Sequence, residues 1–125
     1  MHGKFTEFNQ EGVIKSKGEY QYNLPNGKWQ WFDDNKQVQR AIHYKNGLKD
    51  GNFKIYVDGI LSLAGTYSKD KRHNEWKWYR DRSHLDSLVS YSYGDLSGAY
   101  QTWHSNGKLK ISGFFSNNKL SLIHI

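Results

Sequence analysis

Aromatic residues recur along this chain at fixed intervals, separated by polar and turn-forming residues. Gly27-Lys28-Trp29-Gln30-Trp31-Phe32 sets the pattern: glycine, any residue, aromatic, two residues, aromatic. It returns at Gly3-Lys4-Phe5-Thr6-Glu7-Phe8, Gly51-Asn52-Phe53-Lys54-Ile55-Tyr56 and Gly98-Ala99-Tyr100-Gln101-Thr102-Trp103. Asn74-Glu75-Trp76-Lys77-Trp78-Tyr79 repeats it with Asn in place of Gly. From 3 to 27, 51, 74 and 98 the steps are 24, 24, 23 and 24 residues. Two positions past the leading residue stand Phe5, Trp29, Phe53, Trp76 and Tyr100. Five positions past it stand Phe8, Phe32, Tyr56, Tyr79 and Trp103. A third aromatic column is Tyr20, Tyr44, Tyr67, Tyr91 and Phe115, preceded two residues earlier by Gly18, Ile42, Gly65, Val89 and Gly113. Ile14, Val38, Leu61, Leu85 and Leu109 form an aliphatic column. Such self-similarity is the signature of a repeat protein.

Each unit reads as a β-hairpin. A short aromatic strand leads into a turn at Gln10-Glu11-Gly12, Asp33-Asp34-Asn35, Asp58-Gly59, Asp81-Arg82-Ser83 or Ser105-Asn106-Gly107. These residue types tolerate positive φ in tight turns. A second strand runs to the tyrosine column. A second turn is expected at Leu24-Pro25-Asn26, Asn46-Gly47-Leu48, Asp70-Lys71-Arg72, Gly94-Asp95-Leu96 and Asn117-Asn118-Lys119. The pattern predicts an all-β fold: an elongated antiparallel β-meander of about five tandem hairpins and about ten strands, without helix. One repeat domain covers 3–125, with units 3–26, 27–50, 51–73, 74–97 and 98–121, and 122–125 as a C-terminal edge or cap. A single hairpin cannot bury its ring face, so the rings are expected to stack in columns from unit to unit. Glycine before the tyrosine column leaves room for a neighbouring ring. The apolar tail Leu120-Ser121-Leu122-Ile123-His124-Ile125 either caps the last edge or offers it to a partner or a second copy, giving an oligomer through edge strands.

Composition sharpens this picture. Hydrophobic residues are only 36% and mean hydropathy is −0.91, yet aromatics reach 16%, which points to a thin structure packed by rings rather than to disorder. There is no cysteine, which excludes disulfides and thiolate metal sites. The start, Met1-His2-Gly3-Lys4-Phe5, has no apolar h-region, and no apolar run approaches the roughly 20 residues of a membrane span. The expected location is cytoplasmic. A net charge of +6 favours acidic partners.

The columns resemble the MORN repeat, in particular its bacterial variant. Unit five carries the resemblance most fully in Gly98, Tyr100, Trp103, Asn106-Gly107, Leu109, Gly113 and Phe115, and unit three is close. Unit four departs from it at Asn74, at Arg82-Ser83 and at Val89. Bacterial proteins of this variant, the YwqK-like group, are often assigned to the antitoxin or immunity side of toxin systems. Other MORN proteins are scaffolds or proposed phospholipid binders. The resemblance therefore implies a non-enzymatic protein-binding module that neutralises a cognate toxin. The alternative it implies is a membrane-associated scaffold for anionic lipid.

Fifteen of the twenty aromatics belong to the columns; the others are Tyr22, Trp31, Trp78, Tyr93 and Phe114. Trp31 and Trp78 share position four with Ile55, and Tyr22 and Tyr93 share a place just past the tyrosine column. They read either as extra packing or as partner anchors, since Trp and Tyr are enriched at hot spots. The densest basic stretch runs from Lys69 to Arg82, and Lys71, Arg72, Lys77 and Arg80 are the candidates to steer an acidic toxin face. Anionic lipid headgroups and single-stranded nucleic acid also fit basic residues interleaved with rings. Nucleic acid ranks last of these. No catalytic residue, metal ligand set or cofactor motif stands out: the six histidines lack short ligand spacing, and Asp33-Asp34 sits in turn chemistry.

Overall fold

The structure is a computed structural model, described for residues 2–123, with nothing stated of the Ile123 side chain. His124 and Ile125, the last two residues of the expected cap, lie outside the described residues. The described chain is all strand and turn. Eleven strands form one antiparallel sheet in sequence order. They are β1 (Gly3–Phe8), β2 (Ile14–Gln21), β3 (Leu24–Phe32), β4 (Val38–Lys45), β5 (Leu48–Val57), β6 (Ile60–Ser68), β7 (Lys71–Tyr79), β8 (Leu85–Ser92), β9 (Asp95–Trp103), β10 (Leu109–Ser116) and β11 (Lys119–Ile123). The eleventh strand comes from the tail, which pairs Leu122 with Gly113 and Leu120 with Phe115.

The second set of turns differs from expectation in position. They are two-residue turns at Tyr22-Asn23, Asn46-Gly47, Lys69-Asp70, Tyr93-Gly94 and Asn117-Asn118, all with positive φ at both residues. Three of the five begin before the stretch predicted for them. Pro25, placed by the sequence in the first turn, instead lies in β3 opposite Tyr20. The physical reason is that this turn type needs positive φ at both central residues, whereas proline is fixed near −65°.

The leading column has a backbone role. Gly3, Gly27, Gly51 and Gly98 have φ of 97°, 84°, 109° and 101°, and Asn74, the departure in unit four, has φ of 62°. Asparagine is among the few side chains that enter this region readily. Beside four of these positions the ladder slips by two residues. Lys17 pairs with Gln30 but Glu19 with Asn26, and the same slip recurs between Ala64 and Thr66.

The slip makes space for the core. A Cβ on Gly18 would lie 2.0 Å from the Trp29 indole, and one on Gly65 2.1 Å from that of Trp76. Each indole therefore lies flat on the backbone of the preceding strand. Its N–H donates to the Glu19 carbonyl at 3.0 Å or the Thr66 carbonyl at 3.1 Å, within the slipped segment. Trp76 is fully buried and Trp29 is 5% exposed, in a sheet with no second layer. Where the preceding residue is Ile42 or Val89, the ring opposite is the smaller Phe53 or Tyr100. The expected ring column is thus interrupted. Phe5 meets Trp29 at 5.8 Å and Phe53 meets Trp76 at 5.4 Å, while Ile42 and Val89 stand between these pairs. The fold is built of paired hairpins.

The leading position gives a clean test. No atom lies within 4 Å of a Cβ built on Gly27, so only its φ of +84° penalises a side chain. Gly27→Ala is expected to lower unfolding free energy by about 1–2 kcal/mol. Gly27→Asn, imitating Asn74, should cost about half as much, read by urea denaturation. Equal losses in the two variants would show that φ is not the constraint.

Candidate binding surfaces

Side chains opposite one another in an antiparallel pair share a face. That rule divides the molecule into a ring face and a polar face. The ring face carries the first and third aromatic columns. The second column, Phe8, Phe32, Tyr56, Tyr79 and Trp103, lies three residues beyond the first along each strand and so belongs to the polar face. Accordingly Lys17, on that face, places its ammonium 5.8 Å from the Phe32 ring.

The ring face is covered by its own cations. Arg72 lies 4.5 Å over the Trp76 ring and 5.5 Å from that of Tyr91, and donates to the Tyr91 hydroxyl at 3.1 Å. Burial works to lower its pKa, but the hydrogen bonds with Tyr91 and Tyr67 outweigh this, so the net shift is upward. Lys49 occupies the equivalent place one unit earlier, 5.0 Å from the Tyr67 ring. Arg40 stacks 4.5 Å from Trp31. These contacts shield rings that a second layer would otherwise cover.

The eight residues singled out from the sequence do not converge on one surface. Trp31 and Trp78 lie half-buried on the ring face in a single cross-strand row, Trp31–Arg40–Ile55–Leu63–Trp78. Four strand intervals separate them, about 19 Å. Each touches the core tryptophan of its own strand, at 6.1 Å and 6.5 Å. Tyr22 and Tyr93 are turn tips, 75% and 60% exposed, resting on His2 and His73. Lys71 is exposed on that same turn edge, Arg72 is on the ring face and Lys77 is on the polar face. Arg80 lies at the opposite edge, bound to Asp86 at 2.7 Å and the Trp103 carbonyl at 3.0 Å.

Three contiguous hollows of about 460, 490 and 640 Å³ run across the polar face from β1 to β9. The first and second share Lys28 and Gln30, and the second and third share Asn52 and Lys54. Lys4, Lys17, Lys28, Lys54 and Lys77 line this groove, against Glu19 in the first hollow and Glu75 in the third. The ion pairs among the described residues, Lys15–Glu7, Arg80–Asp86 and His84–Asp81, involve none of these lysines. Lys17, Gln30, Ala41, Lys54, Ala64 and Lys77 form one row, in which the alanines keep the floor low between the lysines. Of this set, only Lys77 stood out in the sequence. The signal for Lys4, Lys28 and Lys54 was parity: they stand one or three residues past the leading position, out of phase with the first aromatic column, while Lys17 stands one residue before Gly18 on the second strand. Among the described residues, no three His, Asp or Glu side chains group as a metal site.

A profile of the MORN repeat variant matches residues 1–22, 25–46 and 96–117, just over half of the chain. The chain belongs to the MORN repeat variant family. The unmatched stretch contains the two-residue hairpin turn Asp58-Gly59 and the Asn74 substitution, yet it folds into the same MORN hairpins. In unit four, the Asp81 carboxylate organises the turn that lacks Asn-Gly, accepting from the backbone N–H of Ser83 and His84 at 2.9 and 3.0 Å. Its pKa is lowered by the Ser83 hydrogen bond and then by His84. No curated protein matches the chain. MORN repeats are in general protein- or membrane-binding modules and not typically enzymes.

The two kinds of cation predict different mutational costs. Arg72→Ala should destabilise by about 1–2 kcal/mol through lost ring cover and the lost Tyr91 hydrogen bond. Lys77→Ala, at a half-buried position whose ammonium is in no ion pair among the described residues, should stay within about 0.5 kcal/mol. Urea denaturation followed by circular dichroism reads both, and equal costs would contradict the division of roles.

Proposed function

We propose that this MORN protein is a non-enzymatic binding module of the antitoxin or immunity kind. It neutralises a cognate toxin in the cytoplasm by receiving an acidic part of that toxin on the groove face. The observation that supports this reading is the lysine-lined groove, whose ammonium groups are in no ion pair among the described residues. Desolvating an acidic surface against such lysines gives orientation and a fast encounter. The ring face is less suited to the role, because its cations and tryptophans already contact one another.

A second reading rests on the turn edge. Tyr22, Leu24, Leu48 and Tyr93 are 75%, 44%, 41% and 60% exposed there, and Lys45, Lys69 and Lys71 lie on the same edge. Apolar tips with lysines behind them suit the interface of an anionic membrane.

Two experiments separate these readings. Tagged protein expressed in its source cells should co-purify an acidic protein whose separate expression arrests growth. Co-expression should relieve the arrest, Lys54→Glu/Lys77→Glu should abolish relief, and Trp31→Ala should retain it. Relief by the double charge reversal at the wild-type level would remove the groove from the account. For the second reading, flotation with anionic vesicles at low salt should carry the protein upward and fail for Tyr22→Ser/Tyr93→Ser. Absence of flotation would end that reading.

A further inference from the structure

Four of the five groove lysines are regularly spaced, with Lys17 on β2 as an additional charge between the first two. Lys4 is on β1, Lys28 on β3, Lys54 on β5 and Lys77 on β7, so consecutive members are two strands apart. Two strand intervals are about 10 Å. The regularity comes from the repeat: Lys4 and Lys28 stand one residue past their leading glycines, and Lys54 and Lys77 stand three residues past Gly51 and Asn74. The two pairs are offset along the strand by about 7 Å, so the track slants across the sheet. Its middle hollow, between Lys28 and Lys54, contains no carboxylate and is lined by the amides of Gln30, Gln37 and Asn52. His43 adds to it, with Nδ1 3.0 Å from the Asp50 carbonyl.

A ligand for this track needs anionic groups about 10 Å apart along one side within each pair, and about 12 Å apart across the step from Lys28 to Lys54, a difference within the reach of a lysine side chain. A polyproline-II peptide turns once every three residues with a rise of about 3.1 Å each, so every third side chain returns to the same side after about 9 Å. A β-strand would point alternate third residues away. A helix would need acids at every seventh residue, and it satisfies its own backbone. A polyproline-II backbone has no internal hydrogen bonds, so the groove amides have donors and acceptors to meet. The geometry points to an extended acidic peptide segment of the partner, lying across the strands, with Asp or Glu at every third residue facing Lys4, Lys28, Lys54 and Lys77. This assignment rests on the acidic-partner reading above and specifies its occupant. Charge complementarity and the length of the groove, about 40 Å over eight strand intervals, accommodate about 12 such residues.

Fluorescence anisotropy at low salt tests it with labelled peptides on the intact chain. The probe is four repeats of Glu-Pro-Pro. The comparators are a peptide of the same composition with its four glutamates contiguous, a Gln-Pro-Pro repeat, an Ala-based helix with glutamate at every seventh residue, and a twelve-residue oligothymidylate. The spaced probe should bind about tenfold tighter than the contiguous or helical peptide, and the Gln version should not bind. Lys54→Glu/Lys77→Glu should lose the probe, while Lys108→Glu/Lys110→Glu, with the same change in net charge outside the groove, should retain most of the affinity. Circular dichroism confirms that both variants fold. Equal affinity for spaced and contiguous acids, tighter binding of the helix or the oligonucleotide, or no binding of the probe would each overturn the assignment. The growth-relief experiment is independent of these results and decides the acidic-partner reading separately.

Discussion

A sheet one layer thick has nothing above it to exclude water, so most of its core is made within one face, with Leu88, opposite Lys77, the buried apolar residue of the other. Here that is achieved by laying an indole on bare backbone. Trp29 on Gly18 and Trp76 on Gly65 are buried because the glycine has no Cβ to hold the ring away and the slipped ladder leaves a carbonyl for the indole N–H. Burying an aromatic side chain removes about 150–250 Å² from water. Much else on this face follows from that contact. The positive φ at the leading position accompanies the slip, the third-column tyrosine closes one side of the ring, and Arg72 covers Trp76. Where glycine gives way to Ile42 or Val89, the ring shrinks to Phe53 or Tyr100.

The proposed binding role follows from the division of faces. One face is consumed by packing, and its cations are part of that packing. The other keeps short side chains at Ala41 and Ala64 and long cationic ones between them. Because each MORN hairpin repeats the same register, a lysine in one unit can have an equivalent two strands away, as Lys4 has in Lys28 and Lys54 in Lys77. A repeated sheet thereby converts a local choice of residue into a periodic charge array.

Much of this was legible in the residues themselves. The columns specified strands, hairpins, the absence of helix and the role of Gly18 and Gly65 as seats for rings. The turn at Tyr22-Asn23 was misplaced onto Pro25 because composition marks a turn only to within a few residues, while the sign of φ decides its position. The basic stretch from Lys69 to Arg82 looked like one patch and is not. Successive residues on a strand point to opposite faces, so Arg72 and Lys77 part company and Arg80 leaves for the far edge. The groove was harder to see because its lysines are 24, 26 and 23 positions apart, from Lys4 to Lys28, Lys54 and Lys77, and only the register brings them into line. The pairing of hairpins was present in the alternation of Gly18, Ile42, Gly65, Val89 and Gly113, but its meaning depends on which ring faces which residue.

The central claim is that the size of each ring and of the residue beneath it are matched, and the chain contains its own control. Gly65 with Trp76 and Val89 with Tyr100 are two solutions to the same contact. Transplanting the second into the first, as Gly65→Val with Trp76→Tyr, should yield a protein that still unfolds cooperatively in urea. Gly65→Val alone, which drives a branched side chain into the indole, should lose about 3 kcal/mol or more. The account predicts that the double variant is more stable than Gly65→Val, with a coupling of at least about 1 kcal/mol. A double variant no more stable than the sum of its single changes would contradict it.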